Sequence, residues 1–349
     1  LISQAKKFNV KNIIITDLKS FNKTKLICKN KKINVFQNFE NLKKIFPKKV
    51  DYVMSSISGI GGMLPTFKII QHTKLIAIAN KEAIVCGWPL IKKELEKNKT
   101  KFIPVDSEHF SISEILNNSN PLSIEKIFIT ASGGPFLNYK PHQFKKIKLK
   151  DALKHPKWKM GKKITIDSST LMNKILELIE AQKLFNIPSK KIDIIIHPNS
   201  LVHAIVLFNN GLTKMLYHQT TMIIPIANAI FNGKFDIKDF YKVETKNKIE
   251  IQNLIFKKVD PKVFPVIKLK DKVNEYPSTS IIINATNEVL VNQFLNKNIT
   301  YNDIIKGIKL ILKDRNYRKY AIKKPKTINQ ILNIDFWAKN KILNKISND

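Results

Sequence analysis

The stretch "DYVMSSISGIGGMLPTFKIIQHTKLIAIANKEAIV", residues 51–85, decides the fold class. The β-branched run "DYVMSSI" (51–57) reads as a strand, "MLPTFKIIQHT" (63–73) as a helix and "KLIAIAN" (74–80) as a second strand. Strand, helix and strand within about thirty residues is a βαβ unit, and a βαβ unit implies a parallel sheet. The glycines between the first strand and the helix, Gly59, Gly61 and Gly62, are informative because the whole chain has only 10 in 349 residues. In so glycine-poor a chain such a cluster marks tight backbone geometry, as does Gly133-Gly134.

The same alternation extends outward. "NIIITD" (12–17) and "KINVF" (32–36) read as further strands, and "FENLKKIF" (39–46) and "PLIKKELEKN" (89–98) as helices. The expectation is an α/β protein with a doubly wound, Rossmann-like domain over 1–103, whose ligands sit at the C-terminal strand ends. From "KFIPVD" (101–106) the pattern changes to strands at "KIFITAS" (126–132), "KITIDS" (163–168) and "DIIIHP" (193–198). A hairpin follows at "HAIVLFNNGLTKMLYH" (203–218), turning at Asn210-Gly211. One helix, 169–185, interrupts them, with Asp167, Ser168, Ser169 and Thr170 as candidate caps. Residues 104–231 thus read as an α+β catalytic domain, 232–262 as a Lys- and Asn-rich linker and 263–349 as a C-terminal helical bundle.

Composition narrows the function. The formal charge of +34 raises the question of a nucleic-acid partner, but only Arg315 and Arg318 among 61 basic residues are arginine. Phosphate and base readers favour arginine for its bidentate fork. Lysine, asparagine and isoleucine dominate every segment, which reads as drift toward A+T-rich codons rather than as a binding footprint. No apolar run is long enough for a membrane helix. Cys28 and Cys86 have no partner spacing and read as reduced cytosolic thiols.

Three groups of residues carry chemistry. In "PVDSEHFSISE" (104–114), Asp106 and Glu108 are two carboxylates two positions apart. A strand continuing through 106–108 would put both on one face, where a hard divalent cation would relieve their repulsion. A solvated strand end, or an Asp capping the following helix, fits the same residues. The helix 169–185 sets Asn173, Glu177 and Glu180 at helical spacing beside Lys174, offering a third carboxylate and cationic groups for an anion. "TASGGPF" (130–136) brings Ser132 and free backbone N–H groups to a strand end, an anion cradle or a plain turn. "HPKWKMGKKI" (155–164) places His155, Trp158, Met160 and Gly161 in a loop that suits a lid over a phosphorylated ligand. Asn80, Lys81 and Glu82 follow a strand at the edge where such a sheet binds its cofactor. "IHPNSLVHAIV" adds His197, Ser200 and His203, and its two histidines read as structural.

In order along the chain, "GIGGMLPT", "ANKEAIV", "PVDSEH", "TASGGPF", "HPKWKMGKKITIDSSTLMNK", "IEA", "IHPNSLVH" and "NATNEV" resemble the 1-deoxy-D-xylulose 5-phosphate reductoisomerase family. The resemblance implies conversion of a sugar phosphate, 1-deoxy-D-xylulose 5-phosphate, to 2-C-methyl-D-erythritol 4-phosphate, with NADPH and a divalent cation (Mg²⁺ or Mn²⁺, with Co²⁺ a further candidate). It implies metal ligands at Asp106, Glu108 and Glu177. Substrate contacts fall at Lys81, Ser107, Ser132, His155, Ser168, Asn173 and Lys174, with Glu108 and Glu177 reaching the substrate through the metal. Lys174 and His155 join the three carboxylates as catalytic residues. NADPH contacts fall at Asn80, Glu82 and Gly161, and a lid at Trp158 and Met160. A homodimer in a bacterial cytoplasm, or a plastid-type organelle, belongs to the same expectation, with no membrane or nucleic-acid partner. The rivals are a relative that binds metal and sugar phosphate without turning over, and a basic nucleic-acid-binding protein. The family's opening glycine-rich turn for the NADPH phosphates is expected upstream of Leu1. Ile175 stands where the family has glycine after Asn-Lys, Phe110 to Glu114 replace its Asn-Ala-Ile-Phe-Gln, and Ile223 replaces an arginine after Met222.

Overall fold

A computed structural model describes residues 1–29, 32–117, 123–158, 160–240 and 254–347. The N-terminal region holds two parallel sheets. β1 (Asn12–Ile14) pairs with β2 (Asn34–Phe36). β3 (Val50–Ser55), β4 (Thr73–Ile78) and β5 (Lys101–Pro104) form the second, with β4 in the middle. The βαβ reading of 51–80 holds: the helix Met63–Ile69 crosses from β3 to β4. Residues 15–17 end the first strand early, because Asp17 accepts a hydrogen bond from the Ser20 N–H at 2.8 Å and starts a helix, Leu18–Cys28, that periodicity did not reveal.

The central sheet has the order β10-β7-β6-β8-β9. β6 (Ile124–Ala131) runs parallel to β7 (Ile192–Ile196) and antiparallel to β8 (Val202–Phe208), which turns at Gly211 (φ +83°) into β9 (Thr213–Tyr217). The expected hairpin is therefore present. β10 (Lys257–Lys258) returns from the expected linker to pair with β7; residues 241–253 of that linker lie outside the described residues. Beyond it the chain is helical, led by Thr279–Leu295, Tyr301–Leu312 and Ile328–Ile346. One continuous apolar core runs from Met63 through β6 and β7 to Ile342.

Three local expectations are corrected. "KITIDS" is a helix, Lys162–Ser169, not a strand. Its β-branched alternation favours a strand, but Thr165 Oγ1 bonds back to the Gly161 carbonyl at 2.9 Å and Lys163 pairs with Asp167 one turn on at 3.1 Å. The next helix consequently begins at Met172, after Leu171 at φ +65°. Asp167, Ser168 and Ser169 belong to the preceding helix, and only Thr170 acts near the junction, accepting from the Met172 N–H at 3.3 Å. Lastly, β5 stops at Pro104, so Asp106 and Glu108 are not alternate strand residues. Asp106 caps the helix Ser107–Leu116 and accepts from the Glu108 N–H at 3.3 Å.

Candidate active site

Four helix starts and one strand end converge on a cavity of about 470 Å³. Asn80 caps the helix Lys81–Asn98, its Oδ1 accepting from the Ala83 N–H at 2.6 Å while its amide donates to the Ile57 and Gly59 carbonyls. Gly62 makes this possible, since a Cβ there would overlap both the Ile57 carbonyl and the Asn80 amide. Lys81 and Glu82 enter the cavity from that helix, Asp106, Ser107 and Glu108 from the start of Ser107–Leu116, and Asn173, Lys174 and Glu177 from the first half of Met172–Phe185. Ser132 follows β6, ahead of Gly133 (φ +84°) and Gly134 (φ +61°), a left-handed pair that only glycine adopts readily. Every metal, substrate, cofactor and lid residue that the resemblance implies lines this one cavity, including Ser168, His155, Trp158, Met160 and Gly161, whereas Glu180 and His197 do not.

At its floor, oxygens of Asp106, Glu108 and Glu177 lie within 4.8 Å of one another. Two ammoniums lie among them. Lys81 Nζ is 2.7 Å from Asp106 Oδ2, 3.2 Å from Glu177 Oε1 and 3.1 Å from Asn173 Oδ1. Lys174 Nζ is 2.7 Å from Glu177 Oε2 and also bonds Glu108. Ser107 Oγ donates to Glu108 Oε2 at 2.6 Å, and Asn173 Nδ2 donates to Glu177. Burial and then the Glu177 charge push the Glu108 carboxyl up to about 7. Burial opposes ionisation of Asp106 as well, but Lys81 outweighs it and holds that carboxyl well below the ordinary range. Burial likewise disfavours the Lys174 ammonium, and Glu108 and Glu177 overcome it and keep it charged. Two buried carboxylates and one half-buried, with hard oxygen donors around one point, fit a divalent cation of the Mg²⁺ or Mn²⁺ type.

Another part of the lining brings together Ser132, His155 and Trp158. His155 Nδ1 accepts from the Lys157 N–H at 3.2 Å and the Trp158 N–H at 2.8 Å, which leaves the ring hydrogen on Nε2, 3.2 Å from Ser132 Oγ. Burial and then Lys174 lower His155 to about 4, so the ring is neutral near pH 7. Trp158 meets the His203 ring edge-on, centroids 6.2 Å apart.

Sequence reasoning missed several lining residues. Lys163 and Asp167 line the cavity, Lys163 bridging to Glu82 at 3.3 Å and Asp167 accepting from Asn287 Nδ2 at 2.7 Å. His203, read as structural, is a wall residue stacked on His218 at 3.7 Å. His109 had carried no role; its Nδ1 lies 3.5 Å from both Asp106 and Glu180 and its Nε2 is 2.9 Å from the Glu177 carbonyl. Only its place in the polar run Asp106-Ser107-Glu108-His109 hinted at it.

A parallel α/β region joined to a mixed sheet, with carboxylates, lysines and hydroxyls facing one cleft, defines an enzyme class that acts on small anionic substrates with a divalent metal. Residues 1–87 match the family model for 1-deoxy-D-xylulose 5-phosphate reductoisomerase, 102–185 the model for its C-terminal domain and 218–341 a DXP reductoisomerase C-terminal domain. The reductoisomerase of Pelagibacter ubique is 51% identical over 98% of this chain and 88% of its own length. The enzyme from the Wolbachia of Brugia malayi is 38% identical over 99% and 88%. A solved DOX-P reductoisomerase in complex with NADPH, fosmidomycin and magnesium superposes with a TM-score of 0.89 at 28% identity, covering 99% of this chain and 88% of that one. The Zymomonas mobilis enzyme in complex with NADPH gives 0.84, with the same identity and coverage. The chain belongs to the 1-deoxy-D-xylulose 5-phosphate reductoisomerase family.

Proposed function

We propose that this chain rearranges and reduces 1-deoxy-D-xylulose 5-phosphate to 2-C-methyl-D-erythritol 4-phosphate, using NADPH and a divalent cation, Mg²⁺ or Mn²⁺ ahead of Co²⁺. The observation that carries the reading is the meeting of Asp106, Glu108 and Glu177 in the same cavity as the Ser132, His155, Ser168, Asn173 and Lys174 wall. The three carboxylates would hold the cation, which when bound supplies Lewis acidity toward the substrate's ketone and hydroxyl oxygens, while NADPH supplies the hydride.

The chain's own groups do the rest. Ser107 orients Glu108 by donating to its Oε2. Lys81 and Lys174 balance the carboxylate charge and reach oxygens of the substrate. Neutral His155 offers its Nε2–H, with Ser132 and Ser168, to the anionic end. Asn80, Glu82 and Gly161 flank the nicotinamide side, next to the turn at 59–62. Trp158 and Met160 cover the cleft and exclude water during both steps. The division at 1–103, 104–231, 232–262 and 263–349, a homodimer and a cytoplasmic location are part of this proposal. Among the described residues no helix is long and apolar enough to cross a membrane.

The test is NADPH oxidation, followed by absorbance, with 1-deoxy-D-xylulose 5-phosphate and Mg²⁺. Consumption that stops on chelation and returns with metal supports the reading. Consumption indifferent to chelation, or no consumption with any divalent ion, refutes it.

A further inference from the structure

The helix Lys81–Asn98 contains Pro89. Proline has no N–H, so the carbonyl four residues earlier, that of Val85, has no helical donor. Val85 is fully buried, where an unpaired carbonyl is costly. Two side chains from distant parts of the chain supply the missing bonds. Ser280 Oγ donates to the Val85 carbonyl at 3.0 Å, Lys183 Nζ donates to the same oxygen, and Lys183 Nζ reaches Ser280 Oγ at 3.1 Å. Burial pushes the Lys183 ammonium down to about 8. An apolar side chain would fill the space without that cost, so hydrogen bonding rather than packing accounts for a lysine here.

The place of this joint gives it a function. Lys183 lies in the last turn of Met172–Phe185, the helix whose first half presents Asn173, Lys174 and Glu177. Ser280 lies in the first turn of Thr279–Leu295. Val85 lies one turn beyond Lys81, whose ammonium meets Asp106, Glu177 and Asn173. Three helices are thus tied at one carbonyl, a single turn from a cavity residue, while Lys183 itself does not line the cavity.

We propose that Lys183 is a positioning residue for the reaction: with Ser280 it seats the Pro89 break of one helix against Met172–Phe185 and so fixes the Lys81 ammonium among the carboxylates. The proposal rests on the functional reading of the cleft given above. It is tested by calorimetric binding of 1-deoxy-D-xylulose 5-phosphate to the full chain and to Lys183→Met, Lys81→Ala, their combination and Ser280→Ala. Lys183→Met weakens binding on the order of tenfold, below the roughly 10²-fold that a 1 Å misplacement remote from the chemistry can cost in rate. The same change adds nothing in the Lys81→Ala background. Ser280→Ala shows the same pattern at smaller size and keeps the test open should Lys183→Met fail to fold. Equal losses in both backgrounds, or none in either, overturn the proposal. Metal-free crystal structures of Lys183→Met and of the parent chain provide an arm independent of the substrate: a Lys81 displaced only in the variant supports the proposal, and a Lys81 that still bridges Asp106 and Glu177 in it overturns it. Failure of the parent chain to bind the sugar phosphate would count against the functional reading alone.

Discussion

Glu177 is nearly inaccessible, yet three polar side chains contact its carboxylate, Lys81, Lys174 and Asn173, and oxygens of Asp106 and Glu108 lie within 4.8 Å. A buried carboxylate so surrounded holds the site's charge balance. Glu177→Gln keeps the shape and removes the charge. Since a metal's Lewis acidity is worth several kcal/mol of transition-state stabilisation, kcat/KM falls on the order of 10³-fold. Steady-state kinetics at saturating Mg²⁺ measure this, and a loss below tenfold contradicts the assignment. Lys174→Met leaves Glu108 and Glu177 without their shared ammonium and raises KM for the sugar phosphate on the order of 10²-fold, with a smaller effect on kcat. The paired carboxylates and the Asn-Lys-x-x-Glu spacing were visible in the sequence, although Asp106 and Glu108 meet through a helix cap rather than a strand face. Lys163, Asp167 and His203 were not visible as site residues, because a lone charge or ring shows its role only once other elements pack beside it.

At the scale of elements, the parallel strands and the hairpin were legible because their apolar runs are short and bounded by turn residues. The helix Lys162–Ser169 was not, because its side chains favour a strand and the burial of Ile166 and Ser169 against neighbouring elements, which exists only in the folded chain, decides otherwise. His203 on β8 stacks on His218, the residue directly after β9, and Trp158 meets His203 edge-on. Burial, then the partner ring and Lys174, hold His203 well below the ordinary 6.5, outweighing the opposing pull of the His218 carbonyl and Asp106; burial also lowers His218, against the Gln219 carbonyl. A depressed folded value means that the unfolded chain takes up the proton first. The pair's contribution to stability is therefore present above pH 6.5 and is lost as pH falls below it. Calorimetric Tm should decline from pH 7 to pH 5, and His218→Phe, which keeps a ring in the stack, should flatten the decline. An unchanged slope in that variant would place the acid sensitivity elsewhere.

At the scale of the molecule, a charge of +34 is carried on lysines scattered through all regions, and one core joins the N-terminal, central and C-terminal parts. The chemistry is concentrated instead in one cleft. Duplex DNA should consequently bind only through counterion release, with Kd on the order of 10⁻⁵ M at physiological salt and no sequence preference. Fluorescence anisotropy across a salt series measures it, and nanomolar sequence-selective binding would revive a nucleic-acid role. The central claim is narrower: one divalent cation seated by Asp106, Glu108 and Glu177. Its most direct measurement is anomalous diffraction at the manganese edge from crystals grown with Mn²⁺. The account predicts one peak about 2.1 Å from an oxygen of each of the three carboxylates, with Lys81 and Lys174 moved off the oxygens they now bridge. A cleft without a peak, in crystals whose protein turns over with Mn²⁺, or a peak that Glu177 does not touch, would contradict it.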